Sequence, residues 1–123
     1  MDRTELKAYC LAKPGAGIDY PFDATTALVR VGGHMFALVD DVAERPFVNL
    51  KCPPELSVDL RASFAGIRPG YHMNKEHWNS VDLDGSVPDE LIRELVDRSY
   101  ALVESGLTAT ERERAGLPPR SRR

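Results

Sequence analysis

Alternating apolar and polar positions dominate the first third of the chain and predict a β-hairpin. The runs ALVRV and HMFALV flank Gly32-Gly33, a dipeptide typical of a two-residue hairpin turn that needs positive φ. Counting outward from this turn predicts one buried apolar face, with His34 at its end. The expected pairs on that face join Ala27, Val29 and Val31 to Leu38, Phe36 and His34, and the other face sets Leu28 and Arg30 against Ala37 and Met35.

Three further segments have the pattern of strands. Residues 18–22 (IDYPF) predict a short edge strand, because the internal Pro21 cannot donate to a central ladder. Residues 46–52 (PFVNLKC) predict another strand. Residues 78–83 predict the last strand, with Val81 and Leu83 alternating inward.

Helical periodicity occurs at three places. Asp2 and Glu5 form a plausible capping box for a helix that runs to about residue 12. Pro53-Pro54 is suited to the first turn of a middle helix. Ser86, three residues before an acidic residue, is expected to cap the last helix, which ends at Gly106. The apolar positions are Leu56, Leu60 and Phe64 in the middle helix and Leu91, Ile92, Leu95, Val96, Leu102 and Val103 in the last.

This order of elements predicts an α+β fold. We expect a two-layer sandwich in which one antiparallel sheet carries the N-terminal, middle and C-terminal helices on one face. The other face is expected to be partly open, as antiparallel sheets allow. Residues 1–107 are predicted to form a single domain, and residues 108–123 a polar C-terminal tail with a basic end at 120–123 (RSRR).

Composition narrows the classes of function. The 123 residues are 42% hydrophobic and 28% charged, ordinary values for a globular protein. No apolar run is long enough for a membrane span, and no basic start precedes an apolar segment, so no membrane partner and no secretion are expected. Cys10 and Cys52 are far apart and predict reduced thiols in a cytoplasmic protein. The net charge of −3 means that any contact with phosphate needs a local patch.

The most unusual segment is PGYHMNKEHWNSVDLDG, residues 69–85, which concentrates histidine, asparagine and aromatic side chains. Together with NLKCPPE at 49–55 and LIRELVDRSYALV at 91–103, it resembles the MmcQ/YjbR family of small bacterial proteins. The resemblance runs from about residue 4 to residue 107. It implies a fold similar to frataxin-like and secretion-chaperone-like sandwiches. It also implies DNA binding, because members are commonly described as DNA-binding proteins with a winged arrangement.

On that resemblance we expect a cytoplasmic module that contacts nucleic acid through the 69–85 segment and has DNA as its partner. Cations would meet phosphates, aromatic rings would stack or shape the surface, and asparagines would donate to sugar or phosphate. The alternative for the aromatics is that they cap the core, and for the asparagines that they hold turns. The expected contact residues are Lys51, Arg68, Tyr71, His72, Asn74, Lys75 and Trp78.

Other functions stay open at this level. A protein-interaction module would use the open sheet face, including Leu28, Arg30 and Met35. A metal or small-ligand site can be drawn around His72 and His77, although the spacing matches no familiar zinc pattern. No catalytic motif is present, so the sequence predicts neither an enzyme nor a cofactor.

Overall fold

The structure is a computed structural model that describes residues 1–120. It is an α+β sandwich with one antiparallel sheet, as the sequence predicts, and the sheet has six strands. The helices lie against one face, where the last long helix contacts the second, third and fourth strands. The elements in chain order are α1 (Arg3–Leu11), β1 (Ala16–Asp19), β2 (Thr26–Val31), β3 (His34–Asp40), β4 (Phe47–Lys51), α2 (Pro54–Ser63), β5 (Ile67–Pro69), β6 (Trp78–Asp82), α3 (Asp89–Ser105) and α4 (Ala109–Arg114).

The strand order across the sheet is β1-β2-β3-β4-β6-β5. The chain leaves β4, forms α2, returns along the edge as β5, and then inserts β6 between β4 and β5. The sequence did not predict β5, which is three residues long and ends at Pro69. It forms because Ile67 pairs with Val81 of β6 and is buried against the core. This return brings the 69–85 segment across one end of the sheet.

The predicted hairpin is present, but its register differs from the expected one. Gly32 and Gly33 have φ values of +58° and +85°, so the two-residue turn is confirmed. Val31 pairs with His34 as expected, and an irregularity at Val29 then shifts the pairing by one residue. A β-bulge of this kind adds one residue to one strand. The observed partners are therefore Val29 with Ala37, Leu28 with Leu38 and Ala27 with Val39.

Two local predictions were wrong. The first edge strand is β1, so the predicted strand at 18–22 begins two residues earlier and ends at Asp19. The last helix has Pro88 as its N-cap residue and no side-chain cap. The hydroxyl of Ser86, which was expected to cap it, donates to Asp84 at 2.6 Å in the preceding turn. The capping box of Asp2 and Glu5 on α1 is confirmed.

The core lies between the sheet and the helices. Phe36 of β3 is fully buried and meets the ring of Tyr100 of α3 edge-on, with ring centroids 5.2 Å apart. Cys10 and Cys52 are both free and buried. Ser99 of α3 donates to the carbonyl of Phe36 at 2.6 Å, so the longest helix is also tied to the sheet by a buried hydrogen bond. No helix within residues 1–120 is long and apolar enough to cross a bilayer.

The segment after residue 107 contains a fourth helix. Thr108 and Glu111 form a capping box at its start. Glu111 also contacts His34 at the hairpin end, with 2.6 Å between Oε2 and Nε2. Arg112 is buried and its guanidinium pairs with Glu104 of α3. Of the predicted basic end, Arg120 donates to the carbonyl of Leu107, and residues 121–123 lie outside the described part of the chain.

Candidate functional site

Residues 70–77 connect β5 to β6 and are called the motif loop here. A hydrogen bond of 2.8 Å from the Gly70 amide to the Trp78 carbonyl closes the loop at its base. A β-carbon on Gly70 would lie 2.8 Å from the β-carbon of Trp78, so glycine is required there by close approach. At the tip, the side chain of Asn74 accepts from the Glu76 amide at 2.9 Å, and its carbonyl accepts from Trp78 at 3.0 Å. Asn74 therefore holds the turn, as asparagine often does.

One side of the motif loop is fastened to α2 by Arg61. Its Nε donates to Oδ1 of Asn79 at 2.7 Å, and its Nη2 donates to the carbonyls of Lys75 and Trp78. Asn79 is buried and donates in turn to Ser57 of α2 at 3.2 Å. Arg61 could not be predicted as a site residue, because nothing in a helical pattern shows which loop a surface arginine will reach.

The other side of the motif loop is fastened to the sheet by a buried polar cluster. Ser80 donates to Oδ1 of Asn49 at 2.5 Å and accepts from the Tyr71 amide at 2.9 Å. Asn49 completes the cluster by donating from Nδ2 to the Tyr71 carbonyl at 3.0 Å. Both peptide groups of Tyr71 are therefore held. The signal for this cluster was Asn49 itself, a polar residue within a strand that is buried on both sides.

Tyr71 presents its ring to solvent although its backbone is fixed. The residue is 55% exposed, and its ring lies 4.0 Å from that of His72 and 6.2 Å from that of Phe47, measured between centroids. His72 has φ of +59°, the left-handed region that non-glycine residues rarely adopt. Within residues 1–120, no other non-glycine residue has positive φ. The Tyr71–His72 ring pair is thus exposed on a backbone that is held in place.

The predicted cations differ in what already binds them. Lys75 is exposed and donates from Nζ to the Gly70 carbonyl at 3.2 Å, which leaves its charge uncompensated. Arg68 donates to Asp82 at 2.5 Å, and only 4% of the Asp82 side chain is exposed. Arg45 approaches the other oxygen of Asp82 at 3.7 Å. Arg68 therefore offers phosphate only the part of its guanidinium that faces away from Asp82.

Lys51 and Trp78 form a separate part of the site. They are opposite each other on β4 and β6, at the end of the sheet beside α3. Together with His34 and Met35 they border a cleft of about 360 Å³. No carboxylate of residues 1–120 forms an ion pair with Lys51 or Lys75. The structure thus groups Tyr71, His72, Asn74 and Lys75 in the motif loop, and places Lys51 with Trp78 and Arg68 with Asp82 on either side of it.

The open face of the sheet carries a groove that ends at the motif loop, and we call it the open-face groove. Its volume is about 490 Å³. Leu28, Arg30 and Met35, which were expected on a protein-interaction surface, all border it. Phe22, which is 74% exposed, and Tyr71 also border it. The groove exists because the open face of β2 and β3 has no helix above it.

The described residues contain neither a cluster of metal ligands nor a thiol with a lowered pKa. Nowhere in the described part of the chain do three or more His, Cys, Asp or Glu side chains come together as a metal site, and this includes the surroundings of His72 and His77. Burial raises the pKa of the Cys10 thiol to about 12. Burial also raises the pKa of Cys52, although a hydrogen bond with Ser57 opposes the shift. Both thiols are protonated at neutral pH and are therefore poor nucleophiles.

Comparison with known proteins agrees with the fold and with the resemblance of the 69–85 segment. The family model YjbR matches residues 11–102. The chain is 46% identical over 100 residues to the uncharacterized protein YjbR of Escherichia coli K12, covering 81% of this chain and 85% of that one. It is 34% identical over 118 residues to the uncharacterized protein YbdF of Escherichia coli O157:H7, covering 93% and 97%.

A solved structure shows the same architecture. The crystal structure of DR2400 of Deinococcus radiodurans, described as a DUF419 domain, superposes with a TM-score of 0.85 at 40% identity. The alignment covers 95% of this chain and 89% of DR2400. Because the family model spans most of the chain and the identities to the relatives are high, this protein belongs to the YjbR family.

Proposed function

We propose that this protein is a nucleic-acid-binding module whose motif loop contacts the phosphate backbone. One observation carries the proposal: the ammonium group of Lys75 lies 3.2 Å from the Gly70 carbonyl, in the same loop as an exposed ring pair with a fixed backbone. A cation in the same loop as an exposed aromatic surface is the combination that nucleic-acid binders use for phosphate and base. The family resemblance points in the same direction.

The residues have different roles in this proposal. Lys75 and Lys51 are the two lysines of residues 1–120 that form no ion pair, so they supply the charge for phosphate contact. Tyr71 and His72 supply the stacking surface, and Trp78 borders the cleft beside Lys51. Asn74 shapes the turn, since its side-chain oxygen is bonded within the loop. Arg68 mainly neutralises the buried Asp82 and contributes to phosphate contact through its exposed nitrogens.

Binding is expected to be modest and strongly dependent on salt. The net charge of −3 gives the molecule no general attraction for polyanions. Affinity must come from a few cations, and each phosphate contact releases condensed counterions from the nucleic acid. Because the candidate site offers Lys75, Lys51 and part of Arg68, the salt dependence should correspond to about two or three phosphate contacts.

The test is a titration of labelled duplex and single-stranded DNA at low and moderate salt. We expect binding at low salt that weakens as salt rises, and a loss of affinity in Lys75→Ala. Lys13→Ala is the matched control, because it removes the same charge from a lysine that pairs with Asp97 of α3. Absence of binding at low salt, or equal effects of the two substitutions, would contradict the proposal.

A second candidate function is protein interaction through the open sheet face. The observation in its favour is Phe22, a large apolar side chain that is 74% exposed at the border of the open-face groove. Exposed apolar surface of this kind often marks a contact site. A stoichiometric protein partner that survives nuclease treatment and is lost in Phe22→Ser, but kept in Lys75→Ala, would favour this function over nucleic-acid binding.

A further inference from the structure

The open-face groove has the size and chemistry of a small-ligand site. Its volume of about 490 Å³ lies within the range of such sites, about 300–1,000 Å³. The floor is apolar, since Leu28 is 4% exposed and Leu38 lies beside it on β3. The aromatic side chains that border it are Phe22, Phe47 and Tyr71, and His72 lies beside Tyr71. A flat ligand with a π-face fits these walls better than a flexible chain does.

The backbone that carries the ring pair at the end of the groove is fixed before any ligand binds. Both peptide groups of Tyr71 are bonded to the Asn49–Ser80 cluster. His72 keeps a left-handed backbone, a conformation that persists only where its surroundings impose it. A ring on a fixed backbone has only its side-chain freedom to lose when a ligand stacks on it.

Two charged residues at or near the groove would act on a bound ligand in opposite ways. Lys75 does not border the groove, but its ammonium group binds the carbonyl of Gly70, the residue before Tyr71. Asp40 does border the groove, and its carboxylate accepts the amides of Val42 and Ala43. A phosphate would therefore be attracted to Lys75 and repelled from Asp40. A planar group attached to that phosphate would then lie along the apolar floor.

Most polar groups along the groove are already bonded within the protein. Both the nitrogen and the oxygen of the Asn49 amide are hydrogen-bonded, and Arg30 pairs with Asp19 at 3.0 Å. The hydroxyl of Thr26 donates to Asp23 at 3.1 Å. Few donors or acceptors remain to read the edge of a base, so stacking would dominate and base identity would matter little.

We propose, resting on the function proposed above, that the open-face groove takes an unpaired nucleobase whose phosphate binds Lys75. The preferred nucleic acid is then single-stranded, because bases in a duplex are paired and stacked and cannot enter the groove. The geometry supplies a stacking surface at Tyr71–His72 and an apolar floor at Leu28, and the adjoining motif loop supplies the cation Lys75.

The test compares three probes at low salt: a labelled oligothymidylate, its duplex with oligoadenylate, and an abasic strand of equal length. The abasic strand keeps the phosphates but has no bases to stack. We expect the oligothymidylate to bind at least about tenfold more tightly than the abasic strand and the duplex. Tyr71→Ala should remove this difference, whereas Tyr71→Phe should keep it, because the phenol hydroxyl has no hydrogen-bond partner among residues 1–120.

The outcomes separate this inference from the proposed function. If all three probes bind equally and Lys75→Ala weakens all of them, the proposed phosphate contact is supported and the proposal of a base in the groove is wrong. If no probe binds, both proposals fail. If Tyr71→Ala is without effect while Phe22→Ser loses a nuclease-resistant protein partner, the groove belongs to protein interaction and the inference is overturned. Far-ultraviolet circular dichroism of each variant checks that the fold is kept.

Discussion

Arg61 of α2 and Asn79 of β6 are joined by a hydrogen bond of 2.7 Å between Nε and Oδ1. This contact connects the helical layer to the strand that follows the motif loop. Because the same guanidinium also reaches the carbonyls of Lys75 and Trp78, one side chain fixes both the loop and the start of β6. The exposed surface of the motif loop therefore depends on a residue that does not itself face the groove.

Arg61→Ala is expected to loosen the motif loop and destabilise the protein. The buried Oδ1 of Asn79 would lose its donor, and leaving such an acceptor unsatisfied costs about 1–3 kcal/mol. Chemical denaturation followed by the fluorescence of Trp78, the single tryptophan, measures the free energy of unfolding. Amide hydrogen exchange should increase at residues 75–78. Arg93→Ala, on an exposed position of α3, is the control, and an equal effect there would refute the role given to Arg61.

Gly70→Ala is expected to destabilise the protein through a clash. The added β-carbon would lie 2.8 Å from the Trp78 β-carbon and 3.0 Å from its carbonyl oxygen, so the loop base would have to shift. Overpacking of this kind costs about 1–3 kcal/mol. Gly17→Ala is the matched control in β1, because nothing lies within 4 Å of its added β-carbon. Thermal unfolding of both variants tests the difference, and equal midpoints would contradict the geometry.

Cys10 is expected to resist thiol reagents in the native protein. Burial raises its pKa from the ordinary value of 9.0 to about 12, so the folded state favours the neutral thiol. The stability gained from this preference is complete below pH 9 and is lost as the pH rises towards 12. Reaction with a chromogenic disulfide at pH 8 should be slow in the native protein and fast in denaturant. Rapid labelling of native Cys10 would show that the site opens readily.

Acid is expected to loosen α4 before it unfolds the sheet. The Thr108 amide and, secondly, the His34 side chain lower the pKa of Glu111 below its ordinary value of 4.5. A lowered pKa stabilises the folded state above about pH 4.5, and this contribution is lost as the pH falls through the folded-state value. Amide exchange at residues 109–114 should rise in this acid range. Glu111→Gln should give the same exchange at neutral pH, and Glu113→Gln, on the exposed face, should not.

The fold could be predicted from sequence where the pattern is local. A glycine pair, the capping box of α1 and apolar stripes identified the hairpin and the three longer helices, since each depends on neighbouring residues. The bulge beside Phe36 and the edge strand β5 were missed, because both exist only through pairing with another strand. No local pattern distinguishes Ile67–Pro69 from a loop.

The candidate site was predicted less completely than the fold. The motif loop was identified by its composition, and Tyr71 and Lys75 are exposed in it. The sequence could not show that Arg68 binds Asp82, since the two residues are fourteen positions apart and meet only across β5 and β6. For the same reason, the sequence could not show that Arg61 binds Asn79. Which cations are free is decided by tertiary partners.

Both edges of the sheet are poor templates for another strand. The β5 edge offers three residues, and Pro69 has no amide hydrogen to donate. The β1 edge is only four residues long. Lateral growth of the sheet into fibrils or stacked oligomers would therefore gain few backbone hydrogen bonds, and folded molecules have little tendency to polymerise through their edges.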